Sequence, residues 1–247
     1  MHAMVRNRSP LLCELHAHTT WSDGELTIRE LVDLHGQRGF DVLCVTDHTV
    51  RDDDPWKELD GWNGAGVTAD TWSAYVAEIE SEAARARDAY GMVVIPGVEL
   101  TYNDADPLEA VHAVAVGLRS LVSVSSGITE AIETAAEAGA AVIAAHPNGR
   151  GPQPLTTRLT QRFSHDELLR RRVHRFELFN RTHLFAWVAE EGLPGVASGD
   201  FHRPEHLYGW KTLVPALDDE EALVAHLRSK RPVYLTRLEA DTSRLAA

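Results

Sequence analysis

Residues 11–18 read Leu-Leu-Cys-Glu-Leu-His-Ala-His: a short apolar run that ends in two histidines, His16 and His18, spaced two apart. In an extended chain that spacing puts both imidazoles on one face, so the segment reads as a buried strand with a pair of nitrogen donors at its end. The same pattern recurs outward along the chain. Further apolar runs are Val42 to Val45, Met92 to Ile95, Val111 to Val116, Ala141 to Ala145, Phe176 to Phe179, Gly195 to Ala197, Thr212 to Val214 and Val233 to Leu235. They predict buried parallel strands. Amphipathic stretches lie between them. Thr27 with Glu30 makes a capping box for a helix through about Gln37, and Gly39 is placed to end it. Ile128, Ala131, Ile132, Ala135 and Ala136 form a helical stripe that Gly139 stops, and Trp72, Tyr75, Val76, Ile79 and Ala83 form another.

Strand followed by helix, repeated through 247 residues with no linker and no internal repeat, predicts a single α/β domain over residues 1–247, built as a (β/α) barrel. An open doubly wound sheet is the alternative, but no glycine-rich nucleotide turn follows any strand. The long irregular stretch Arg51 to Asp70, with Trp56 and Trp62, reads as a lid or binding loop.

Composition narrows the function. The chain carries 24 Lys plus Arg against 37 Asp plus Glu, a formal charge of −13, with 13 histidines outside that sum. Such an acidic balance argues against a broad nucleic-acid or anionic-lipid surface. No apolar run approaches the roughly 18 residues of a membrane span. The N-terminal residues lack the apolar core of a secretory signal. Cys13 and Cys44 sit inside apolar runs as reduced, buried thiols, which points to the cytoplasm.

Ionisable residues collect where the strands end. After His16 and His18 come Asp23 in Ser22-Asp23-Gly24, His48 in Thr46-Asp47-His48, Glu99 after Pro96-Gly97-Val98, His112, His146 before Pro147, and Asp200 with His202 in Gly199-Asp200-Phe201-His202. Pro147 biases His146 toward an extended conformation. In a barrel these ends share one rim. Six imidazoles and three carboxylates buried there unpaired are costly, and shared divalent ions remove that cost, because these are the ligands Zn, Mn and Fe accept. Nine ligands imply two or three ions, with Glu99 able to bridge. Ions about 3.5–4 Å apart suit in-line displacement at phosphorus and lower the pKa of a bound water, so phosphoester hydrolysis by a metal-bound hydroxide is the expected reaction.

The ordered set HAH, SDG, TDH, GVE, a mid-chain His, AHP and GDFH, spanning His16 to His202, resembles the PHP family, named for polymerase and histidinol phosphatase domains. The resemblance implies a distorted (β/α)7 barrel, completed by residues 203–247, that holds up to three ions of Zn, Mn or Fe. It implies one ion at His16, His18, Glu99 and Asp200, a second at Glu99, His112 and His146, and a third at Asp23, His48 and His202. Asp23, where some members have His, is similar to the small phosphoesterase and exonuclease branch. Thr49-Val50 after TDH departs from that branch.

Asp47 is the expected orienter beside a ligand. Arg150, Arg181 and Arg203 are candidates for binding the phosphate, and His183 for protonating the leaving group. The expected substrate is a small phosphorylated metabolite or nucleotide. The first rival, a metal-dependent amidohydrolase with a carboxylated lysine, is disfavoured because Lys57, Lys211 and Lys230 are not at a mid-chain strand end. A second is a 5'-3' exonuclease on short single strands, for which Arg170, Arg171, Arg172 and Arg175 are the best basic cluster. A third is a catalytically silent metal-binding domain, against which all nine positions carry competent side chains.

Overall fold

Helix α1 (Ile28–Gln37) starts as its sequence predicts: Thr27 Oγ1 accepts the Glu30 N–H while the Glu30 carboxylate accepts the Thr27 N–H, and Gly39 turns away at φ 77°. The computed structural model describes residues 9–55, 66–149, 160–217 and 219–240. Trp56, Trp62 and Arg150 lie outside them.

The remaining helices are α2 (Trp72–Tyr90), α3 (Ile128–Glu137), α4 (Glu167–Arg170), α5 (Ala186–Glu190) and α6 (Glu220–Arg228). The strands are β1 (Leu11–Glu14), β2 (Val42–Val45), β3 (His48–Val50), β4 (Val93–Tyr102), β5 (Val111–Val116), β6 (Ala141–Ala144), β7 (Arg175–Asn180), β8 (His183–Leu184), β9 (Gly195–Ser198), β10 (Gly209–Val214) and β11 (Tyr234–Leu238). They form one curled sheet in the order β11-β10-β1-β2-β4-β5-β6-β7-β8, with β3 beside β4 and β9 beside β7. Alternate residues feed two apolar layers: Leu43 and Val45 pack outward with residues of α1, α2 and α3, whereas Val42 and Cys44 pack inward with Leu223 and Leu227 of α6. No helix among the described residues is long and apolar enough to cross a membrane.

Two expectations are corrected. The strands are not all parallel, since β5 runs antiparallel to both β4 and β6, and β10 antiparallel to both β1 and β11. Residues 103–110 join β4 to β5 without a helix, and so short a connection cannot carry the chain back for a parallel strand. The alternation of a (β/α)7 barrel is therefore broken, and the sheet is a curled half-barrel in a mixed α/β fold. Where β9 approaches β10 the link is a side chain: Thr212 Oγ1 accepts the Ala197 N–H at 2.9 Å and donates to its carbonyl at 2.7 Å.

His35 is fully buried on α1, its Nδ1–H donating to the Leu31 carbonyl at 2.9 Å and its ring edge-on to Phe40 and Phe201. Burial pushes its pKa down to about 4 from an ordinary 6.5. As pH falls through 6.5 the unfolded chain takes up this proton first, so the group's contribution to stability declines between 6.5 and 4 and levels off below. The loss is of order 3 kcal/mol. Urea unfolding at pH 7, 5 and 4 should show it, and His35→Leu should flatten that part of the profile; an unchanged profile would place His35 in contact with water.

Candidate metal centre

Residues at or just beyond the ends of β1, β3, β4, β5, β6 and β9 meet at one rim. The end of β1 is tied to the segment after β9 by the Ala17–Phe201 bridge, with the His18 N–H donating to the Phe201 carbonyl at 2.7 Å and the Phe201 N–H to the His16 carbonyl at 3.0 Å. That bridge brings His16 and His18 beside Asp200 and His202. His48 opens β3 in register with Glu99 of β4. His112 is near the start of its strand, not the end, yet reaches the rim because β5 is reversed and pairs His112 with Thr101.

His146 and Asp200 have φ of 28° and 41°, conformations that non-glycine residues adopt at a cost of order 1–3 kcal/mol. The extended backbone expected at His146 is thus corrected. Its N–H is held by Glu177 Oε2 at 2.6 Å and its carbonyl by Thr160 Oγ1 at 2.8 Å, which together outweigh the preference imposed by Pro147.

The nine residues fall into three groups whose donor atoms lie within 4.8 Å of one another: His16, His18 and Asp200; Glu99, His112 and His146; and Asp23, His48 and His202 with His18 alongside. Glu99 joins two of them. Its Oε1 is 3.1 Å from both His112 Nδ1 and His146 Nε2, and its Oε2 is 3.5 and 3.6 Å from the Nε2 atoms of His16 and His18. Asp23 Oδ1 faces the Nε2 atoms of His202 and His48 at 3.3 and 3.4 Å.

Five of the six imidazoles commit one nitrogen outward to an acceptor, and the sixth, His48, shares its Nδ1 between Thr101 and Glu99 Oε2, the latter at 2.7 Å. His16 Nδ1 meets the Glu177 carboxylate at 2.8 Å, and His202 Nδ1 the Asp200 carbonyl at 2.9 Å. His48 Nδ1 meets Thr101 Oγ1 at 2.7 Å and His146 Nδ1 meets Thr160 Oγ1 at 3.3 Å; both hydroxyls donate to carbonyls and so accept from the rings. His18 Nδ1 meets Ser22 Oγ at 3.4 Å, and that hydroxyl donates to Asp47 at 2.6 Å. His112 Nε2 meets Asn103 Oδ1 at 3.0 Å.

With these N–H groups spent outward, the other nitrogens turn their lone pairs inward. Those of His16 and His18 stand only 3.0 Å apart. Asp23 Oδ1 is buried without a hydrogen bond, and the buried Glu99 Oε2 is met most closely by His48 Nδ1 at 2.7 Å. Lone pairs converging on lone pairs need cations between them, and oriented imidazole with carboxylate is the donor set of Zn, Mn or Fe. The residues fit divalent ions.

The electrostatics agree. Burial pushes His18 down to about 3, with His202 and His48 adding to it, and burial pushes His112 down to about 4. Burial also opposes charge on His16 and His48, but Glu99 and its neighbouring carboxylates overcome it and hold both rings up, His48 at about 10. Burial would raise Glu99 and Asp200, yet the surrounding imidazoles hold both carboxyls well below the usual range. Protons on histidine here do what bound cations would do.

The other candidates divide. Asp47 is buried and accepts from Thr19 N, Thr19 Oγ1 and Ser22 Oγ, so it fixes the turn that carries Asp23. Arg181 borders the cleft above the cluster and spends Nε and Nη2 on the Gly199 and Asp200 carbonyls and the Asp200 carboxylate, the last at 3.0 Å. His183 borders the same cleft, whereas Arg203 is bonded to His206 and is not among its lining residues. The cleft encloses about 450 Å³.

Sequence reasoning missed Glu177. On β7 and 1 % exposed, it accepts from His16 Nδ1, the His146 N–H, Asn180 Nδ2 and the Ser198 hydroxyl, and so braces two of the three groups. The available signal was an acid inside the apolar run Phe176 to Phe179.

Comparison with known proteins gives the family and the fold. The model of the PHP domain family matches residues 14–149. DNA polymerase/3'-5' exonuclease PolX of Bacillus subtilis (strain 168) is 30 % identical over 143 residues, covering 56 % of this chain and 23 % of PolX. The chain thus matches less than a quarter of that relative's length. A two-domain protein containing a predicted PHP-like metal-dependent phosphoesterase, from Bacteroides vulgatus ATCC 8482, aligns with TM-score 0.64 at 18 % identity over 94 % of this chain and 66 % of its own. An amidohydrolase from Chromobacterium violaceum aligns with TM-score 0.51 at 17 % identity over 91 % and 97 %. At such identities the two structures show a shared fold alone.

Proposed function

The chain belongs to the PHP domain family, and from that premise we propose that it is a metal-dependent hydrolase of phosphoesters, acting on a small phosphorylated metabolite or nucleotide in the cytoplasm. The observation that carries this reading is the shared orientation of the six imidazoles, each with one nitrogen held by a neighbouring acceptor and the other turned toward Glu99, Asp200 or Asp23 at the foot of a cleft. His16, His18, Asp200 and one oxygen of Glu99 would hold one ion, the other Glu99 oxygen with His112 and His146 a second, and Asp23, His48 and His202 a third. When bound, such ions supply positive charge at the phosphoryl oxygens and lower the pKa of a coordinated water. Arg181 anchors the Asp200 carboxylate and keeps a guanidinium at the rim, where it meets a phosphate dianion. His183, exposed on the cleft and outside the metal groups, would give a proton to the departing oxygen. A net charge of −13 does not oppose this, because the ions set the local sign. The buried, unpaired thiols Cys13 and Cys44 support a reducing compartment.

A second reading, exonuclease action on short single strands, draws on the name of the PolX relative, a 3'-5' exonuclease. The proposed basic cluster argues against long strands. Arg170 and Arg172 are paired with Glu191 and Glu133, and Arg175 is buried against the Leu227 and Arg231 carbonyls, so no basic groove forms from them.

Elemental analysis combined with a phosphate-release panel in Mn, Zn and Fe, on phosphomonoesters and short oligonucleotides, tests the proposal. Two or three ions per chain and turnover of a monoester are expected. Absence of bound metal would overturn it, and bound metal with no turnover of any phosphoester would favour the silent domain.

A further inference from the structure

Strand β4 carries more than Glu99. In a strand, residues two apart share a face, and Glu99, Thr101 and Asn103 form one such stripe at and just beyond the end of β4. Glu99 stands between the metal groups. Thr101 Oγ1 meets His48 Nδ1 on the parallel neighbour β3, and Asn103 Oδ1 meets His112 Nε2 on the antiparallel neighbour β5. The stripe presents one carboxylate and fixes the imidazole on either side of it.

Asn103 is the delicate member, because an amide can offer either an oxygen or an NH2 to His112. The second contact removes the ambiguity. Asn103 Nδ2 lies 3.2 and 3.1 Å from the two oxygens of Asp54, a residue 5 % exposed just beyond β3. A carboxylate only accepts, so the NH2 must face Asp54 and the Oδ1 must face the ring. His112 is thereby held with its proton on Nε2 and its Nδ1 lone pair 3.1 Å from Glu99 Oε1.

We infer that Asp54 and Asn103 are positioning residues for the Glu99–His112–His146 group, setting the His112 tautomer and with it the affinity for one ion only. The inference rests on the metal-centre reading above. His16 has a carboxylate behind it, Glu177, whereas His112 has a neutral amide. A carboxylate makes a ligating imidazole more basic than an amide does, so the His112 group is the weaker of the two and the first to lose its ion.

The test uses Asn103→Leu, which removes the acceptor, and Asn103→Asp, which restores an oxygen toward His112 and shares a proton with Asp54. Long-range proton–nitrogen spectra of metal-stripped, 15N-labelled protein report the tautomer directly, and stepwise chelation followed by elemental analysis reports each ion. The wild type should show His112 protonated on Nε2. Asn103→Leu should lose that preference and bind one ion roughly 10- to 100-fold more weakly, with the others retained, and Asn103→Asp should recover both. Should Asn103→Leu fail to fold, Asp54→Ala is expected to shift the same two readouts in the same direction. An unchanged tautomer with a full set of ions in the variant overturns the inference. A wild type that binds no ion while its tautomer responds as described overturns the metal reading instead.

Discussion

Glu99→Gln should lower phosphoester turnover by a factor of about 10³ or more, equivalent to roughly 4 kcal/mol of transition-state stabilisation, and should strip most of the bound metal. The size of the effect follows from how many donors depend on this one side chain. Its two oxygens face His112 and His146 on one side and His16, His18 and His48 on the other, the last at 2.7 Å from Oε2. A glutamine keeps the shape, supplies one acceptor oxygen instead of two, and carries no charge to offset divalent cations, so both flanking groups lose affinity together. Replacing a residue that serves one group, such as His202, should cost one ion and less rate. The check is elemental analysis and kcat on the same preparation, with circular dichroism to confirm the fold. A variant with full metal content and wild-type kcat would remove Glu99 from the centre and overturn the assignment.

How legible this was depends on the kind of information required. The capping box at Thr27 and Glu30, the stripe of α3 and the histidines two apart at residues 16 and 18 are local periodicities, and the structure reproduces them. Strand direction is not local. The run Val111 to Val116 looks the same parallel or reversed, and only the short connection before it decides that His112 sits at the rim. An acid in an apolar run normally reads as the solvent side of a strand, which hides Glu177, whereas inside this curled sheet its carboxylate faces the candidate ligand His16. Asn103 had no motif at all; its role exists only once β4, β5 and Asp54 meet. His146 shows the limit of a pairwise rule, since the preference imposed by Pro147 is a small energy beside the hydrogen bonds its backbone donates to Glu177 and accepts from Thr160.

The largest effect on stability should come from Lys211→Met, which is expected to destabilise the fold by about 3–5 kcal/mol. Lys211 is one of the chain's three lysines and is fully buried, its Nζ 2.7 Å from Glu14 Oε2, itself fully buried. It does not join the nine candidate ligands; it sits beneath them. The other oxygen of Glu14 accepts the Gly199 N–H at 2.7 Å and the His16 N–H at 3.3 Å, so the pair secures both the end of β1 and the turn that presents Asp200. Gly199 lies directly against the pair, and a Cβ there would collide with Glu14 Oε2 and Lys211 Nζ, so a larger residue would have to displace them. Removing Lys211 leaves a fully buried carboxylate with its counter-charge gone, which is the costly way to break a buried pair. The double variant Glu14→Gln with Lys211→Met removes both charges and keeps an acceptor for the two N–H groups. It should therefore be more stable than Lys211→Met alone, a sign that distinguishes a charge effect from a loss of packing. Urea unfolding of wild type, both single variants and the double variant, with metal removed so that ion binding does not mask the difference, completes the cycle. If the double variant is no more stable than Lys211→Met, the pair acts through shape rather than charge.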